Sequence, residues 1–512
     1  MNRKNLWTSL LALSVLLSLS GCTDDDEPQL PELPTEEEQP SGDPDTAGVT
    51  KETQNATYFA QVALESYYVW NAEIAEGLKR LDPDTCAHPV QVVQDIRYKD
   101  TASGIEDKWT YLTNDLNSLV ESTQGTETTY GFLYKGATLK QTDGRSRNYM
   151  VVALVYADSP AAKAGLKRGD LIAQINGKDV DNASLKELFY SPSATIGMGR
   201  LQDGRLELTG ATHALTAVKM YTNPLLYHHV FDVNGKKVGY LCYSSFDLKS
   251  VGPLIDRCRA FKAEGVSELI LDLRYNGGGY VLTEVALASM LAPEAVAHNP
   301  KAVFEQAVYN QQLTKYYKEK NIDTSTYFQT SWNYTEQENG IDFTYDTTDA
   351  NIGLQKIYGL ITANSASASE ALLGGLMPYM DVEIIGTPSH GKYCTGIMLS
   401  PDDLFSKYPS VIQEWGIYVM VSLYQNAKGE TPCMPNGLVP DRTVEEGVDL
   451  VDWGDENDPL LRAALESAGK VYTGSRAATH PQAGDSRMVE DIRHNAAFGK
   501  RIALPIRPLE RP

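Results

Sequence analysis

Basic residues are in short supply in this chain: 45 Lys and Arg stand against 67 Asp and Glu, a formal net charge of -22. Nucleic-acid phosphates are neutralised by clustered cations, so an acidic excess of this kind argues against nucleic acid as a partner. Cysteine is scarce as well, with six in 512 residues and none in a Cys-x-x-Cys pair, which argues against zinc and dithiol redox motifs. The eight histidines are scattered, and the adjacent pair His228-His229 lacks ligand partners at metal spacing. Nor does the glycine run Gly277-Gly278-Gly279 open as G-x-x-x-x-G-K-[ST], the loop that cradles nucleotide phosphates. No metal and no cofactor is expected. What remains is an ordinary globular composition, 42% hydrophobic and 22% charged, on a chain long enough for two or three domains.

The N-terminus gives an address. Arg3 and Lys4 precede an apolar run from Leu6 to Leu19, too short for a membrane span and of the length of a signal peptide. It closes on Leu19-Ser20-Gly21-Cys22, which resembles a bacterial lipoprotein signal; the resemblance implies lipidation of Cys22 and removal of residues 1–21. A plain secretory signal with an incidental Cys22 is the alternative. Loss of Arg3 and Lys4 takes the charge from -22 to -24. Residues 23–50 then hold ten Asp or Glu, five Pro and no Lys or Arg, so residues 22–50 are expected to form an acidic, disordered tether. The run Asp24-Asp25-Asp26-Glu27 resembles the export signals of Bacteroidetes surface lipoproteins. The expected location is the cell envelope, lipid-anchored to the outer membrane on its periplasmic or cell-surface face.

Composition and pattern divide the remainder. Residues 51–125 read as a helical N-terminal domain, with Phe59, Val62, Ala63, Tyr67, Trp70 and Ile74 on one apolar face. Residues 126–222 read as β-rich: the strand Met150 to Val155, a short capped helix at Ser159-Pro160-Ala161-Ala162, the strand Leu171 to Ile175 and the turn Asn176-Gly177. The stretch from Ser159 to Gly177 is similar to the core of a PDZ domain. By that resemblance Tyr130-Gly131-Phe132-Leu133 is the loop that holds a peptide's terminal carboxylate, while the neighbouring strand edge accepts the peptide backbone. A PDZ used for internal packing or as a lid is the plainer possibility. Residues 223–470 change to short, nearly continuous apolar runs (238–243, 269–273, 357–361, 382–385), the mark of parallel strands covered on both faces, and hence of an α/β domain. Residues 471–512 form an unassigned C-terminal tail.

Three segments of the α/β domain carry chemistry. Asn364-Ser365-Ala366-Ser367-Ala368-Ser369-Glu370 follows a strand with small residues and leads into a helix, where unpaired N–H groups can meet developing negative charge. On its own, Ser367-Ala368-Ser369-Glu370 also fits a capping box with no catalytic meaning. Asp272-Leu273-Arg274-Tyr275-Asn276-Gly277-Gly278-Gly279 ends a strand in glycines that free the backbone to bend an N–H into a pocket. Gly386-Thr387-Pro388-Ser389-His390-Gly391-Lys392 places a lysine 25 residues beyond Ser367.

Together with the PDZ segment and Asn436-Gly437-Leu438-Val439-Pro440-Asp441, these stretches resemble, in order, the S41 family of C-terminal processing (tail-specific) proteases. The resemblance implies a crotonase- or ClpP-like catalytic domain preceded by the β-rich PDZ and the helical N-terminal region. It makes Ser367 the nucleophile, Lys392 the general base, and the N–H groups of Ala368 and of Gly278 or Gly279 the oxyanion hole. Elementary chemistry agrees, since a lysine with an ordinary pKa of about 10.4 is a base at neutral pH only when burial disfavours its ammonium. The expected activity is cleavage of protein or peptide tails through an acyl-enzyme, with accessible C-termini and the membrane as partners. A Ser-His-Asp triad using His390 has no motif behind it. One departure stands out: the family often places Gln four residues after the lysine to orient it, and this chain has Gly396. The orienting group is then Thr395, Ser389, a residue of another segment, or missing. In the last case a non-catalytic peptide-binding lipoprotein becomes the rival reading. Of the five cysteines besides Cys22, Cys394 and Cys433 fall in one domain and could form a bridge.

Overall fold

The computed structural model describes residues 48–117, 120, 124–336, 341–472 and 501–502. The leader, Cys22 and the tether up to residue 47 lie outside the described residues, as do 473–500 and 503–512 of the tail.

The apolar runs of the α/β domain form one sheet. Its order is Leu225–Val233, Lys236–Tyr243, Glu268–Asp272, Lys356–Ile361, Asp381–Gly386, Arg442–Thr443. The first pair is antiparallel and every later pair parallel. Side chains alternate between faces, so Leu269 and Leu271 enter the main core, while Ile270 joins a second one with Tyr240, Leu360 and Leu461. Both faces are covered, which is why these strands show no polar alternation. Helix Val281–Leu291 is buried from Thr283 to Leu291 and is apolar around most of its circumference, a composition that is stable only inside a core.

A second sheet lies against these helices and carries the site's other wall. It runs Gly279–Tyr280, Arg501–Ile502, Cys394–Leu399, Gly416–Asn426, Val303–Tyr309, Ser325–Tyr327, with Tyr111–Thr113 also paired to Gly416–Asn426. Residues 51–113 therefore do more than form a helical cap. Helix Lys51–Tyr67 starts at Thr50, whose hydroxyl accepts the Thr53 N–H at 3.1 Å, and its Phe59, Val62, Ala63 and Tyr67 are buried in the same core as the α/β strands. Trp70 and Ile74 are buried too, but the chain turns extended at Tyr68, so these two reach the core from the following turn rather than from one continuous helical stripe.

The β-rich segment has its own sheet, running from Arg205–Thr216 through Ser193–Gln202, Leu171–Ile175 and Ser146–Val155 to Phe132–Lys140, and its own core around Met150, Val152, Ile172 and Ile196. Asn176 and Gly177 both have positive φ (51° and 74°), as a two-residue hairpin turn requires. The segment is joined to the α/β domain by a stem, Thr126–Thr129 paired antiparallel with Val218–Tyr221. It is also fastened by a buried charge cluster. Lys135 Nζ and Arg168 Nη2 from the β-rich side each reach Glu446 at 2.7 Å, and Arg274 reaches Glu446 at 3.0 Å and both Asp272 and Asp458 at 2.7 Å. Burial alone would raise the Glu446 carboxyl, but Lys135, Arg168 and Arg274 outweigh it and hold it well below the usual range.

Candidate active site

Ser367 is the residue before helix Ala368–Leu376, and its backbone has φ 66° and ψ -116°, a region that L-residues rarely occupy. Holding a serine there costs about 1–3 kcal/mol, and such strain persists where surrounding structure over-determines it. Ser367 is fully buried, and its Oγ has no hydrogen-bond partner among the described residues. Ser367 and Glu370 face each other as in a capping box, and the Ser367 N–H donates to Glu370 Oε2 at 2.7 Å. The strain-holding contacts come from the glycine loop: Ala366 N–H and Ser369 Oγ donate to the Asn276 carbonyl at 3.0 and 2.9 Å. Ser365 Oγ and Thr362 Oγ1 donate to the carbonyls of Leu273 and Arg274.

Glu370 is the residue whose importance the sequence understated. Its Oε2 accepts the N–H of Ser367 and, at 2.9 Å, the N–H of Lys392. Its Oε1 accepts the Gly391 N–H at 2.6 Å and the Ser389 hydroxyl. One carboxylate thus ties the backbone of the serine turn to that of the lysine loop across 25 residues of sequence. Burial raises the Glu370 carboxyl to about 7, and these four donors work against that rise. The signal was the Ser-x-x-Glu spacing; the long-range partners carry no local signal.

Lys392 is also fully buried, and its Nζ donates to Tyr418 Oη at 3.0 Å. The amine lies 5.4 Å from the Trp109 ring centroid and 5.1 Å from that of Tyr418. Tyr418 belongs to Gly416–Asn426, the strand paired with Cys394–Leu399, and a register shift between Thr395 and Gly396 sets Gly396 opposite Met420. A Cβ at 396 would stand 2.5 Å from the Tyr418 ring and from Met420 Cε. The glycine where a Gln was expected is therefore the space that the Tyr418 ring occupies. His390 packs edge-on against Trp109, with centroids 6.1 Å apart.

The expected oxyanion donors divide. Ala368 is the first residue of its helix, at the end where N–H groups point outward. Gly278 N–H donates to Asn276 Oδ1 at 2.9 Å, so it is already engaged. Gly279, with φ 146°, bridges Phe246 on one side and Arg501 on the other. In the β-rich domain, Gly131 has φ 82° and leaves no room for a Cβ, which would fall 2.1 Å from Ser159 Cβ. Its carbonyl accepts the Tyr156 N–H at 2.9 Å, and the Tyr130 carbonyl accepts the Ala161 N–H at 3.0 Å. Phe132 and Leu133 begin Phe132–Lys140, the edge strand of its sheet, and Tyr134 on that strand stacks with Phe189 of helix Asn182–Tyr190, 5.9 Å between centroids. The bridge considered between Cys394 and Cys433 does not form: both are free and buried, and Cys433 Sγ lies 3.0 Å from Tyr424 Oη.

The sequence and the fold both have relatives. Residues 237–444 match the model of peptidase family S41, and residues 151–190 match that of the PDZ domain. The chain is 25% identical over 327 residues to a carboxyl-terminal-processing protease of Picosynechococcus, covering 62% of this chain and 66% of that one. It is 25% identical over 268 residues to the carboxy-terminal processing protease CtpB of Bacillus subtilis, covering 50% of this chain and 46% of that protein. It thus spans between about half and two thirds of the length of these relatives. In fold it is similar to the crystal structure of a candidate S41 protease from Bacteroides fragilis, with a TM-score of 0.61 at 22% identity over 80% of this chain and 96% of that one. Residues 237–444 thus match an S41 peptidase domain and residues 151–190 a PDZ domain, within a fold of α/β class that has a helical N-terminal region.

Proposed function

We propose that this protein is a serine endopeptidase that cleaves protein tails with Ser367 as nucleophile and Lys392 as general base. The observation that carries the proposal is that Glu370 braces both the buried Lys392 and the strained, buried Ser367, whose Oγ has no hydrogen-bond partner among the described residues. Neutral Lys392 takes the Ser367 proton as Oγ bonds to the scissile carbonyl carbon, while the N–H groups of Ala368 and Gly279 meet the oxyanion. The proton passes from Lys392 to the leaving amine as the C–N bond breaks, and water then releases the acyl group. Tyr418 orients the amine: by accepting one N–H it leaves the lone pair aimed elsewhere, the task a Gln four residues after the lysine would perform. The rival reading, a peptide-binding protein without turnover, drew its support from Gly396, and the Tyr418 hydroxyl supplies what Gly396 lacks.

Substrate tails would be captured on the Phe132–Lys140 edge, with Tyr130-Gly131-Phe132-Leu133 at the terminal carboxylate. Lipidation at Cys22 would hold the enzyme in the cell envelope, with the acidic segment as a spacer. A fluorophosphonate probe, with the adduct mapped by peptide mass spectrometry, tests the site. Modification at Ser367 that is lost in Lys392→Ala is expected; an unmodified Ser367 in the wild type overturns the assignment.

A further inference from the structure

We propose that the gap between the strands Gly279–Tyr280 and Cys394–Leu399 is a strand-accepting site for extended peptides, and that this chain's own segment at Arg501–Ile502 is its resident occupant. The inference rests on the Ser367/Lys392 reading above, because it places the occupant in that same cleft. Arg501 and Ile502 pair in parallel with Gly279 and Tyr280 on one side, and Ile502 pairs in parallel with Gly396 on the other. Among the described residues, these two are what joins Gly279–Tyr280 to the rest of the second sheet.

The orientation of the backbone makes this more than a chance contact. Phe246 N–H donates to the Gly278 carbonyl at 2.9 Å, and its carbonyl accepts the Tyr280 N–H at 2.8 Å. Amides alternate sides along a strand, so the N–H and C=O of Gly279 face the opposite edge, where Arg501 lies. Gly279 is the candidate oxyanion donor, so the tail stands on the amide that a scissile carbonyl would use. The other wall, Gly396, is four residues from Lys392 and carries no side chain to shield its backbone. An open edge recruits a strand through main-chain hydrogen bonds, with little demand on sequence. The segment belongs to the same chain as the strands it pairs with, so its pairing is intramolecular and is favoured over that of a free peptide. An incoming substrate must displace it.

The test uses the full chain, a chain ending at residue 472, and full-chain Ile502→Pro, which removes the N–H needed for pairing but leaves the tail in place. A fluorescent peptide with the sequence of residues 496–508 is titrated into the Ser367→Ala form of each, so binding is read independently of turnover. We expect the peptide to bind the shortened and Ile502→Pro chains at least about tenfold more tightly than the full chain. The same three forms with Ser367 intact are then assayed on an unfolded protein, and the shortened and proline forms should start several-fold faster. Equal peptide affinity for all three overturns the occupancy, even if all three cleave. Different affinities with no cleavage by any form leave the strand site standing and overturn the protease reading instead.

Discussion

Replacing Tyr418 by phenylalanine deletes one hydroxyl and leaves the ring in place, which makes it a sharp probe of how Lys392 is held. Both residues are buried, and the bond between Nζ and Oη is 3.0 Å long. A hydrogen bond between neutral groups is worth about 0.5–1.5 kcal/mol. If that bond aims the neutral lysine, its loss falls on the chemical step, and at about 1.4 kcal/mol per tenfold kcat drops roughly 2- to 12-fold. KM should stay within about twofold, since Tyr418 is buried and the lost hydroxyl bonds the lysine. The ring contact to the amine at 5.1 Å survives, so thermal unfolding should move by only a few degrees. The assay is steady-state cleavage of an unfolded protein with an apolar C-terminus, alongside calorimetry of both forms. A variant with wild-type kcat, or one whose loss of activity tracks a large loss of stability, would refute the reasoning.

Gly396→Ala tests the same contact from the other strand: its Cβ would fall 2.5 Å from the Tyr418 ring, and overpacking of this kind costs about 1–3 kcal/mol. Its kcat should fall, and combining it with Tyr418→Phe should cost less than the two losses added together. Glu370→Gln offers one acceptor oxygen where four donors converge, so kcat should fall sharply. Glu370 titrates at about 7 in the folded chain against 4.5 in the unfolded one. The stability tied to its protonated form is therefore full below pH 4.5 and is lost as pH rises to about 7, by about 3 kcal/mol. Denaturant titrations across that window should show this slope in the wild type and a flatter profile in Glu370→Gln. Glu446→Ala leaves Lys135, Arg168 and Arg274 buried without their shared carboxylate, and urea unfolding should report a loss of about 3–5 kcal/mol.

Local pattern carried much of this protein. The strands at 238–243, 269–273, 357–361 and 382–385 were legible because both faces are covered and the runs are apolar. The serine and lysine loops were legible because glycine and small residues crowd strand ends. What was not legible depends on contacts between distant segments. Glu370 read as a helix cap because the cap is local, whereas its bonds to Ser389, Gly391 and Lys392 cross between loops. Tyr418 sits in an apolar strand where an aromatic side chain signals core; its bond to Lys392 comes with a cross-strand register shift that no spacing announces. Trp70 and Ile74 kept the helical period after the helix had ended, since turns can also deliver apolar side chains to a core. The pairing of Arg501–Ile502 was invisible because backbone hydrogen bonds place little demand on side chains.

The central claim, that Ser367 and Lys392 form one catalytic unit, is tested most directly by intact-mass spectrometry of an unfolded protein with an apolar C-terminus after incubation with the wild type, Ser367→Ala and Lys392→Ala. The account predicts fragments from the wild type alone, with each substitution abolishing cleavage while the fold melts as before. Cleavage that persists in either variant, or fails in all three, would contradict it.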